Sequence, residues 1–225
     1  MRRVVWGAGT PRTLRPHWML HELGLPYETR VIAPRSPAMD DPEFRALSLR
    51  HKVPIYQEDD LVVGESGAIV SYLADRHRAT HDLIPEPGTP ERARHDDWCS
   101  FALMELDATS LYVVRRHEGL PDVYGEAPAA VDSARDYFRR QAGVVAQALG
   151  DERPYLLGPD FKVADLLVVT CLSWARLISI TLPPVLAEYE ARATARPAFA
   201  NAMAANFPPE LAAAMQKLAK PDDTA

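Results

Sequence analysis

The first third of the chain alternates between short β-type runs and a longer helical pattern. The stretch "RRVVWGA" is rich in β-branched and aromatic residues and predicts a strand. In "TLRPHWMLHELGL", Leu14, Trp18 and Leu23 recur at helical spacing, which predicts a helix that stops at Gly24. Because Pro26 cannot continue a helix, "YETRVIA" behind it is predicted to be a second strand. The order so far is strand, helix, strand.

A hairpin and a second helix follow a proline-rich loop. Residues 34–50 contain three prolines and a short helical pattern, which indicates a loop with one or two helical turns. "VPIYQ" and "LVVGE" are predicted to be short strands joined by the polar turn at residues 58–60. "SGAIVSYLADRH" predicts a helix capped by Ser66, with Ile69, Tyr72 and Leu73 on one face. The summed order is βαβαββα, enough for a small independent domain.

The rest of the chain is predicted to be helical. Trp98, Ala102, Leu106 and Thr109 form a helical stripe between residues 90 and 118, and "AAVDSARDYFRRQAGVVAQALG" repeats the pattern. The apolar run at residues 163–182 predicts a buried helix, and "PPVLAEYEAR" and "RPAFANAMAANF" predict shorter helices that begin at prolines. We therefore predict an α/β domain at residues 1–78, a linker at 79–89 and an all-helical domain at 90–225.

Composition and charge argue against several classes of protein. The 225 residues include 25 Lys and Arg against 31 Asp and Glu, and this net charge of −6 disfavours a nucleic-acid groove. Cys99 and Cys171 lie far apart and outside any CxxC pair, so we predict neither a disulfide framework nor a cysteine metal site, but two buried core residues. The histidines show no metal-ligand spacing, and no metal is expected. These features favour a reducing, cytoplasmic location.

The apolar run at residues 163–182 is long enough to cross a bilayer and needs a separate test. It carries Asp165 and Arg176, and each charge in lipid costs about 2.5 to 3.5 kcal/mol on insertion scales. The centre of a helical bundle is the simpler interpretation, with Asp165 in a structural role. The N-terminus lacks the apolar core of a signal peptide, so no membrane partner is expected.

Two dipeptides suggest a site for a small peptide. A cis proline at position 54 would leave the main chain of Val53 free to pair with an extended ligand, in the manner of strand addition. The alternative is an ordinary edge strand that begins with proline. At the start of the next helix, Ser66 and the free N–H groups would attract a carboxylate, and Glu65 would hold an ammonium. An amino-acid head next to a strand-like peptide describes a γ-glutamyl peptide, although Ser66 also serves as a plain helix cap.

An ordered set of motifs resembles the cytosolic glutathione transferases of bacterial type. The set comprises "KVPIY", "GESGAIVSYLADR", "DLIPEPGTPERAR", "VADLLV" and "RPAFANAM", in an order that covers nearly the whole chain. The resemblance implies a thioredoxin-like N-terminal domain that binds glutathione as co-substrate, an all-helical C-terminal domain that lines a pocket for a hydrophobic electrophile, and a homodimer. It also implies that Val53 and Pro54 bind the cysteinyl backbone, Glu65 and Ser66 the γ-glutamyl head, and Lys52 the glycyl carboxylate.

The chain departs from this family where the sulfur is activated. The family places a Tyr, Ser or Cys after the first strand, whereas this chain has "GAGTPRTLRPHW". Thr10 falls nearest the serine position, followed as candidates by Thr13 and Arg12, and the alternative for all three is a helix-capping turn. A hydroxyl that donates to sulfur, assisted by the Arg12 charge, would favour the thiolate.

Two other departures concern loops. His51 replaces a glycine before the Lys-Val-Pro sequence, so the entering loop is expected to be reshaped, and Lys162 replaces a Ser or Thr cap, so the capping box with Asp165 is expected to be incomplete. Tyr112 and Arg116 are candidates for the electrophile pocket. The sequence predicts thiol addition to an electrophile, with two alternatives: a glutathione-dependent disulfide or peroxide reductase, and a non-catalytic binding module with this fold.

Overall fold

The computed structural model describes residues 1–209 and Leu211, and it forms two compact units. The first unit comprises Met1–Leu73 together with the described residues from Pro197 onward, and the second comprises Ala74–Arg196. The predicted domain boundaries near residues 78 and 90 remain a prediction. The last part of the predicted helical domain, residue 210 and residues 212–225, lies outside the described residues.

The N-terminal part of the first unit has the predicted βαβαββα order of a thioredoxin-like domain. A short 3₁₀ turn, Pro37–Asp40, precedes the second helix. The third strand begins at Ile55, one residue after Pro54, because a proline at this position has no N–H to give to the sheet. The elements are β1 Arg3–Trp6, α1 Pro11–Glu22, β2 Glu28–Arg30, α2 Pro42–Leu47, β3 Ile55–Glu58, β4 Leu61–Gly64 and α3 Ser66–Arg76.

Within the described residues the strands form one mixed sheet in the order β2-β1-β3-β4. The β1 strand is parallel to β2 and antiparallel to β3, and β4 returns antiparallel to β3. One face of the sheet packs on a cluster that includes Val4, Trp6, Ile32, Phe44 and Ile55. This packing fixes the register, because a slip of one residue would turn these side chains to the other face.

The first unit also contains α10, Pro197–Asn206, which packs against α1. The edge of one aromatic ring meets the face of another where Trp18 and Phe199 contact each other, with ring centroids 4.9 Å apart. Trp18 is fully buried. The α1 helix therefore has apolar neighbours on both sides, the sheet domain and α10, which explains why even polar residues of α1 are buried.

The second unit is helical, as predicted, with differences in detail. The predicted helix at residues 90–118 consists of two α-helices with a π-helical segment between them, and a short helix at residues 121–124 was not predicted. The apolar run from residue 163 ends as a helix at Leu177, because the chain turns at Ser179 with a φ of 62°. The elements are α4 Pro90–Phe101, the π-helical segment Ala102–Leu111, α5 Tyr112–His117, α6 Pro121–Tyr124, α7 Pro128–Ala148, α8 Val163–Leu177 and α9 Pro184–Thr194.

Asp165 holds the start of α8 in place. Its carboxylate accepts hydrogen bonds from the N–H of Leu156 (2.9 Å), the N–H of Lys162 (2.8 Å) and the hydroxyl of Tyr189 (2.7 Å). The ammonium of Lys162 can only donate, and it binds Asp82 at 2.7 Å instead of closing a capping box. The incomplete box and the structural contacts of Asp165 agree with the sequence analysis.

Three further observations concern the cysteines, membrane-spanning helices and metal-binding groups. Both cysteines, Cys99 and Cys171, are free and buried, as predicted. No helix in the described part of the chain is long and apolar enough to cross a membrane. The described residues also contain no group of three or more His, Cys, Asp or Glu side chains that could hold a metal ion.

Candidate active site

Three loop segments meet at one end of the sheet. Trp6, the last residue of β1, lies opposite Ile55, the first residue of β3, and Ile55 in turn lies opposite Gly64, the last residue of β4. The chain segments that continue from these three residues must therefore leave the sheet at the same end. These segments, residues 7–10, 53–54 and 65–66, contain half of the ten predicted site residues.

The first two segments are in direct contact. A Cβ atom on Gly7 would lie 2.7 Å from the Cβ of Val53, and Gly7 has a φ of 121°, so only glycine fits here. The peptide bond between Val53 and Pro54 is cis, as predicted. The side chain of Val53 packs against the sheet cluster. In the described residues neither the N–H nor the C=O of Val53 has a hydrogen-bond partner, which leaves its main chain open for strand addition.

The third segment opens α3. Glu65 has a φ of 65°, an uncommon conformation for a residue other than glycine, and its exposed carboxylate forms an ion pair with Arg50 at 2.8 Å. Ser66 is buried, and its hydroxyl accepts a hydrogen bond from Nη1 of Arg15 at 3.1 Å. The start of α3 therefore combines free N–H groups, a hydroxyl and a nearby guanidinium, all of which favour an anion.

Arg15 is a residue of this site that the sequence analysis missed. It is buried in α1, and it contacts Ser66 across 51 positions of the sequence. The available signal was a second charged residue within a helix predicted to pack on a sheet. That signal is weak, because an arginine next to Leu14 in a helix is ordinarily on the solvent side.

All three candidates for sulfur activation lie at the start of α1, with Thr10 as the N-cap and Arg12 and Thr13 in the first turn. Thr10 and Thr13 form a reciprocal capping box, in which each hydroxyl accepts the N–H of the other residue, at 3.0 and 2.9 Å. Thr13 is fully buried and donates to Asn206 at 2.7 Å, whereas Thr10 is partly exposed. Arg12 is also partly exposed. Of the two hydroxyls, only that of Thr10 is open to a ligand.

Comparisons with known proteins agree with this geometry. Residues 10–76 match the family model for the glutathione S-transferase N-terminal domain. The glutathione S-transferase-like protein gedE of Aspergillus terreus is 31% identical over 182 residues, which cover 72% of this chain and 74% of that protein. The chain belongs to the glutathione S-transferase family.

Solved structures of glutathione S-transferases have the same fold. A glutathione transferase from Methylococcus capsulatus superposes with a TM-score of 0.77 at 28% identity, over 91% of this chain and 98% of that one. A family member from Pseudomonas fluorescens, crystallised with two glutathione molecules bound, superposes with a TM-score of 0.78 at 23% identity, over 90% and 92% of the two chains. The fold of the family thus extends over both units of this chain.

Other predicted site residues of this glutathione S-transferase lie beside the same segments. Lys52 is exposed, and its N–H and C=O are both held by the hydroxyl of Ser48 at 2.9 Å. His51 has a φ of 54°, so the histidine adopts the backbone conformation that favours the usual glycine. Its ring contacts the carbonyl of Met39 at 2.5 Å. The loop therefore contains a left-handed turn at His51, and its reshaping relative to the family remains a prediction.

The two candidates for the electrophile pocket lie in the second unit. Tyr112 is half-buried at the start of α5. Arg116 is exposed, and its guanidinium stacks over the ring of Tyr124 at 4.5 Å. This stacking directs the guanidinium toward α6. Their role in a pocket remains a prediction.

A buried histidine, His17, contacts the first of the three loop segments. His17 contacts the carbonyl of Gly7 at 3.1 Å through Nε2 and the hydroxyl of Tyr27 at 2.9 Å through Nδ1. Burial lowers the pKa of His17 from 6.5 to about 4, although the contact with Gly7 acts in the opposite direction. The imidazole is therefore neutral at pH 7, donating to Gly7 and accepting from Tyr27.

The lowered pKa of His17 predicts a loss of stability in acid. Between pH 6.5 and 4 the unfolded chain binds a proton at this residue and the folded chain does not, so the stabilisation present above pH 6.5 is lost as the pH falls. We expect the contribution to reach about 2 kcal/mol by pH 5. Urea unfolding at pH 7.5 and 5.0 would measure the fall in the unfolding free energy of the wild-type protein. His17→Gln should lack the part of this fall that His17 causes. Parallel losses in the two proteins would contradict the prediction.

Proposed function

We propose that this protein binds glutathione at the end of the sheet and activates its thiol for addition to a hydrophobic electrophile. The observation that carries the proposal is the open main chain of Val53, on the same end of the sheet as the anion-binding start of α3. In this arrangement the cysteinyl backbone pairs with Val53, and the γ-glutamyl carboxylate binds at Ser66. The ammonium of the same head group binds Glu65.

Charge complementarity supports this orientation. Arg15 lies behind Ser66 and adds a positive charge at the carboxylate end. Arg50 already neutralises Glu65, so a bound ammonium would share or replace that ion pair. Lys52, at the entry to β3, would bind the glycyl carboxylate at the opposite end of the peptide. Three separate charges of glutathione thus have a partner of opposite sign.

The chemical step requires a thiolate. A free thiol has a pKa of about 8.5, so only a few per cent is ionised at pH 7. The Thr10 hydroxyl would donate to the sulfur and favour its charged form, and Arg12 would add a Coulombic contribution of the same sign. The thiolate then attacks the electrophilic carbon of an aryl halide, a carbon–sulfur bond forms, and the halide leaves with the bonding electrons. No metal takes part in this proposal.

Two further elements of the proposal come from the family. Tyr112 and Arg116 of the second unit would line the pocket for the electrophile, with the aromatic ring against its apolar part. The protein would act as a homodimer in the cytoplasm. Size-exclusion chromatography with light scattering would give the mass of the species that carries the activity.

A second candidate function is a glutathione-binding module without catalysis. The observation that favours it is the capping box, because the Thr10 hydroxyl already has a structural role at the start of α1. A third possibility, reduction of disulfides or peroxides by glutathione, uses the same binding site. Turnover of chlorodinitrobenzene, turnover of hydroxyethyl disulfide and turnover of neither would distinguish the three functions.

The binding site is tested by Ser66→Ala. Losing the hydroxyl removes one hydrogen bond to a charged carboxylate, worth about 1.5 to 3 kcal/mol, so the dissociation constant of glutathione should rise about tenfold or more. Isothermal titration calorimetry would measure this change. Ser100→Ala, an exposed serine in α4, is the matched control and should bind like wild type. Equal affinity of Ser66→Ala and wild type would exclude the proposed head-group position.

A further inference from the structure

Hydrogen bonds join the end of α10 to the turn that begins α1. The carbonyl of Asn206 accepts the N–H of Gly9 (2.8 Å), its Nδ2 donates to the carbonyl of Thr10 (3.0 Å), and its Oδ1 accepts the hydroxyl of Thr13 (2.7 Å). Asn206 is fully buried, so water does not compete for these bonds. One side chain from the far end of the sequence therefore holds the turn that contains Thr10.

The chemistry of the partners fixes the direction of each bond. A carbonyl only accepts, so Nδ2 must face Thr10 and Oδ1 must face the Thr13 hydroxyl. The Thr10 carbonyl also accepts the N–H of Leu14 at 3.0 Å, which fills its second lone pair. Although the Thr13 hydroxyl lies 2.9 Å from that carbonyl, the shorter bond to Asn206 takes its proton. The proton of Thr13 is thus committed to Asn206.

Because the Thr13 hydroxyl donates its proton to Asn206, Thr10 must be the donor in the pair of hydroxyls. The two hydroxyl oxygens are 3.0 Å apart, and either could in principle donate to the other. Thr13 has no second proton to give, and its oxygen already accepts the N–H of Thr10. The Thr10 hydroxyl must then be the donor, either to Thr13 or to an anion outside the turn.

We propose that Asn206 is a positioning residue that sets the Thr10 hydroxyl as a hydrogen-bond donor to the bound thiolate. The inference rests on the proposed function, since the anion outside the turn is the sulfur of glutathione. Among the described residues of α1, the charged or titratable side chains nearest in sequence to the turn are those of Arg12, Arg15 and the neutral His17. None of the three has a hydrogen bond to Asn206 within the described part of the chain.

The test measures the pKa of the bound glutathione thiol from its ultraviolet thiolate absorbance. Asn206→Ala removes the hydrogen bond to the Thr10 carbonyl and the acceptor of the Thr13 proton, so the Thr10 hydroxyl loses its fixed position and the thiol pKa should rise by about half a unit to one unit. Asn206→Asp should raise it further, because its carboxylate adds a negative charge and cannot donate to the Thr10 carbonyl. Asn201→Ala, an exposed asparagine in the same helix, should match wild type.

A second readout separates positioning from general damage. The sulfur-free peptide γ-glutamyl-alanyl-glycine should bind wild type and the Asn206 variants with dissociation constants within about twofold of each other, since no hydrogen bond to its charged ends is lost. If the affinity for this peptide falls together with the thiolate fraction, Asn206 has a structural role only and the inference is overturned. An unchanged thiol pKa in both Asn206 variants overturns it as well.

The results of these measurements also distinguish a failure of this inference from a failure of the proposed function. If Asn206→Ala does not fold by circular dichroism, Asn206→Ser, which also loses the bond to the Thr10 carbonyl and adds no charge, carries the test. A wild-type protein that binds neither glutathione nor the sulfur-free peptide contradicts the proposed function itself. A wild-type protein that binds both and ionises the thiol, with Asn206 variants that do the same, contradicts only the role of Asn206.

Discussion

Thr10→Val is expected to lower kcat/KM for conjugation of chlorodinitrobenzene about 10- to 100-fold, because a hydrogen bond to a charged sulfur is worth about 1.5 to 3 kcal/mol. Valine keeps the shape of the side chain but removes the hydroxyl, and with it the acceptor of the Thr13 N–H in the capping box. The main-chain contacts of the peptide with Val53 do not involve Thr10, so the affinity for glutathione should stay within about threefold of wild type. Steady-state kinetics and calorimetry would measure the two quantities separately.

Two variants make this result specific. Thr10→Ser keeps the hydroxyl and should retain most of the wild-type rate. Thr80→Val, an exposed threonine whose hydroxyl donates to the carbonyl of His77, should leave the rate unchanged. A Thr10→Val protein with nearly the wild-type rate would remove Thr10 from the mechanism and would leave Arg12 as the candidate for thiolate stabilisation.

Asp165→Ala is expected to lower the free energy of unfolding by about 3 to 5 kcal/mol. The substitution leaves the N–H of Leu156, the N–H of Lys162 and the hydroxyl of Tyr189 without their acceptor, and each buried unsatisfied group costs about 1 to 3 kcal/mol. Burial raises the pKa of Asp165 to about 6, so the carboxylate is mostly ionised at pH 7.5, where urea unfolding should be followed by tryptophan fluorescence.

The control for this prediction lies in the same loop. Asp160→Ala removes an exposed aspartate and should change the unfolding free energy by less than about 0.5 kcal/mol. Asp165→Asn keeps one acceptor oxygen and should fall between Asp165→Ala and wild type. If Asp165→Ala unfolds within 1 kcal/mol of wild type, as a roughly neutral surface change would, Asp165 does not hold the start of α8 and the loop packs by other contacts.

The parts of the site that depend on local sequence were predictable. Val53 with Pro54 is recognisable because a proline at the start of a strand limits which backbone groups can pair. The helix that begins at Ser66 was also predicted, but Ser66 is its first helical residue and not its cap, because the carbonyl of Glu65 accepts the first helical hydrogen bond. The βαβαββα order was equally accessible, because each of its elements has its own hydrophobic period. These predictions required no knowledge of which elements pack together.

Arg15 and Asn206 could not be predicted, because they reach the site through tertiary packing. Arg15 belongs to a helix whose two sides are both covered, and Asn206 ends an alanine-rich helix 193 positions after Thr13. No local pattern distinguishes either residue from a surface arginine or a helix-ending asparagine. Sequence reasoning also treated Thr13 as an alternative to Thr10, whereas in the structure the two hydroxyls form one network.

The π-helical segment shows a different limit of predicting structure from the hydrophobic pattern of the sequence. The stripe at Ala102, Leu106 and Thr109 fits a regular helix, yet Thr109 is exposed and Ser110 and Leu111 are buried in its place. Bonding between residues five apart widens the turn and shifts the buried positions by one or two. A period of 3.6 and a wider one differ too little over ten residues for the sequence to decide between them.

A crystal structure with glutathione bound would test the central claim most directly. The account predicts hydrogen bonds between the peptide and the main chain of Val53, the γ-glutamyl carboxylate on Ser66, and the sulfur within hydrogen-bonding distance of the Thr10 hydroxyl. Glutathione bound elsewhere, or in this place with its sulfur turned away from the turn at residues 9–13, would contradict it.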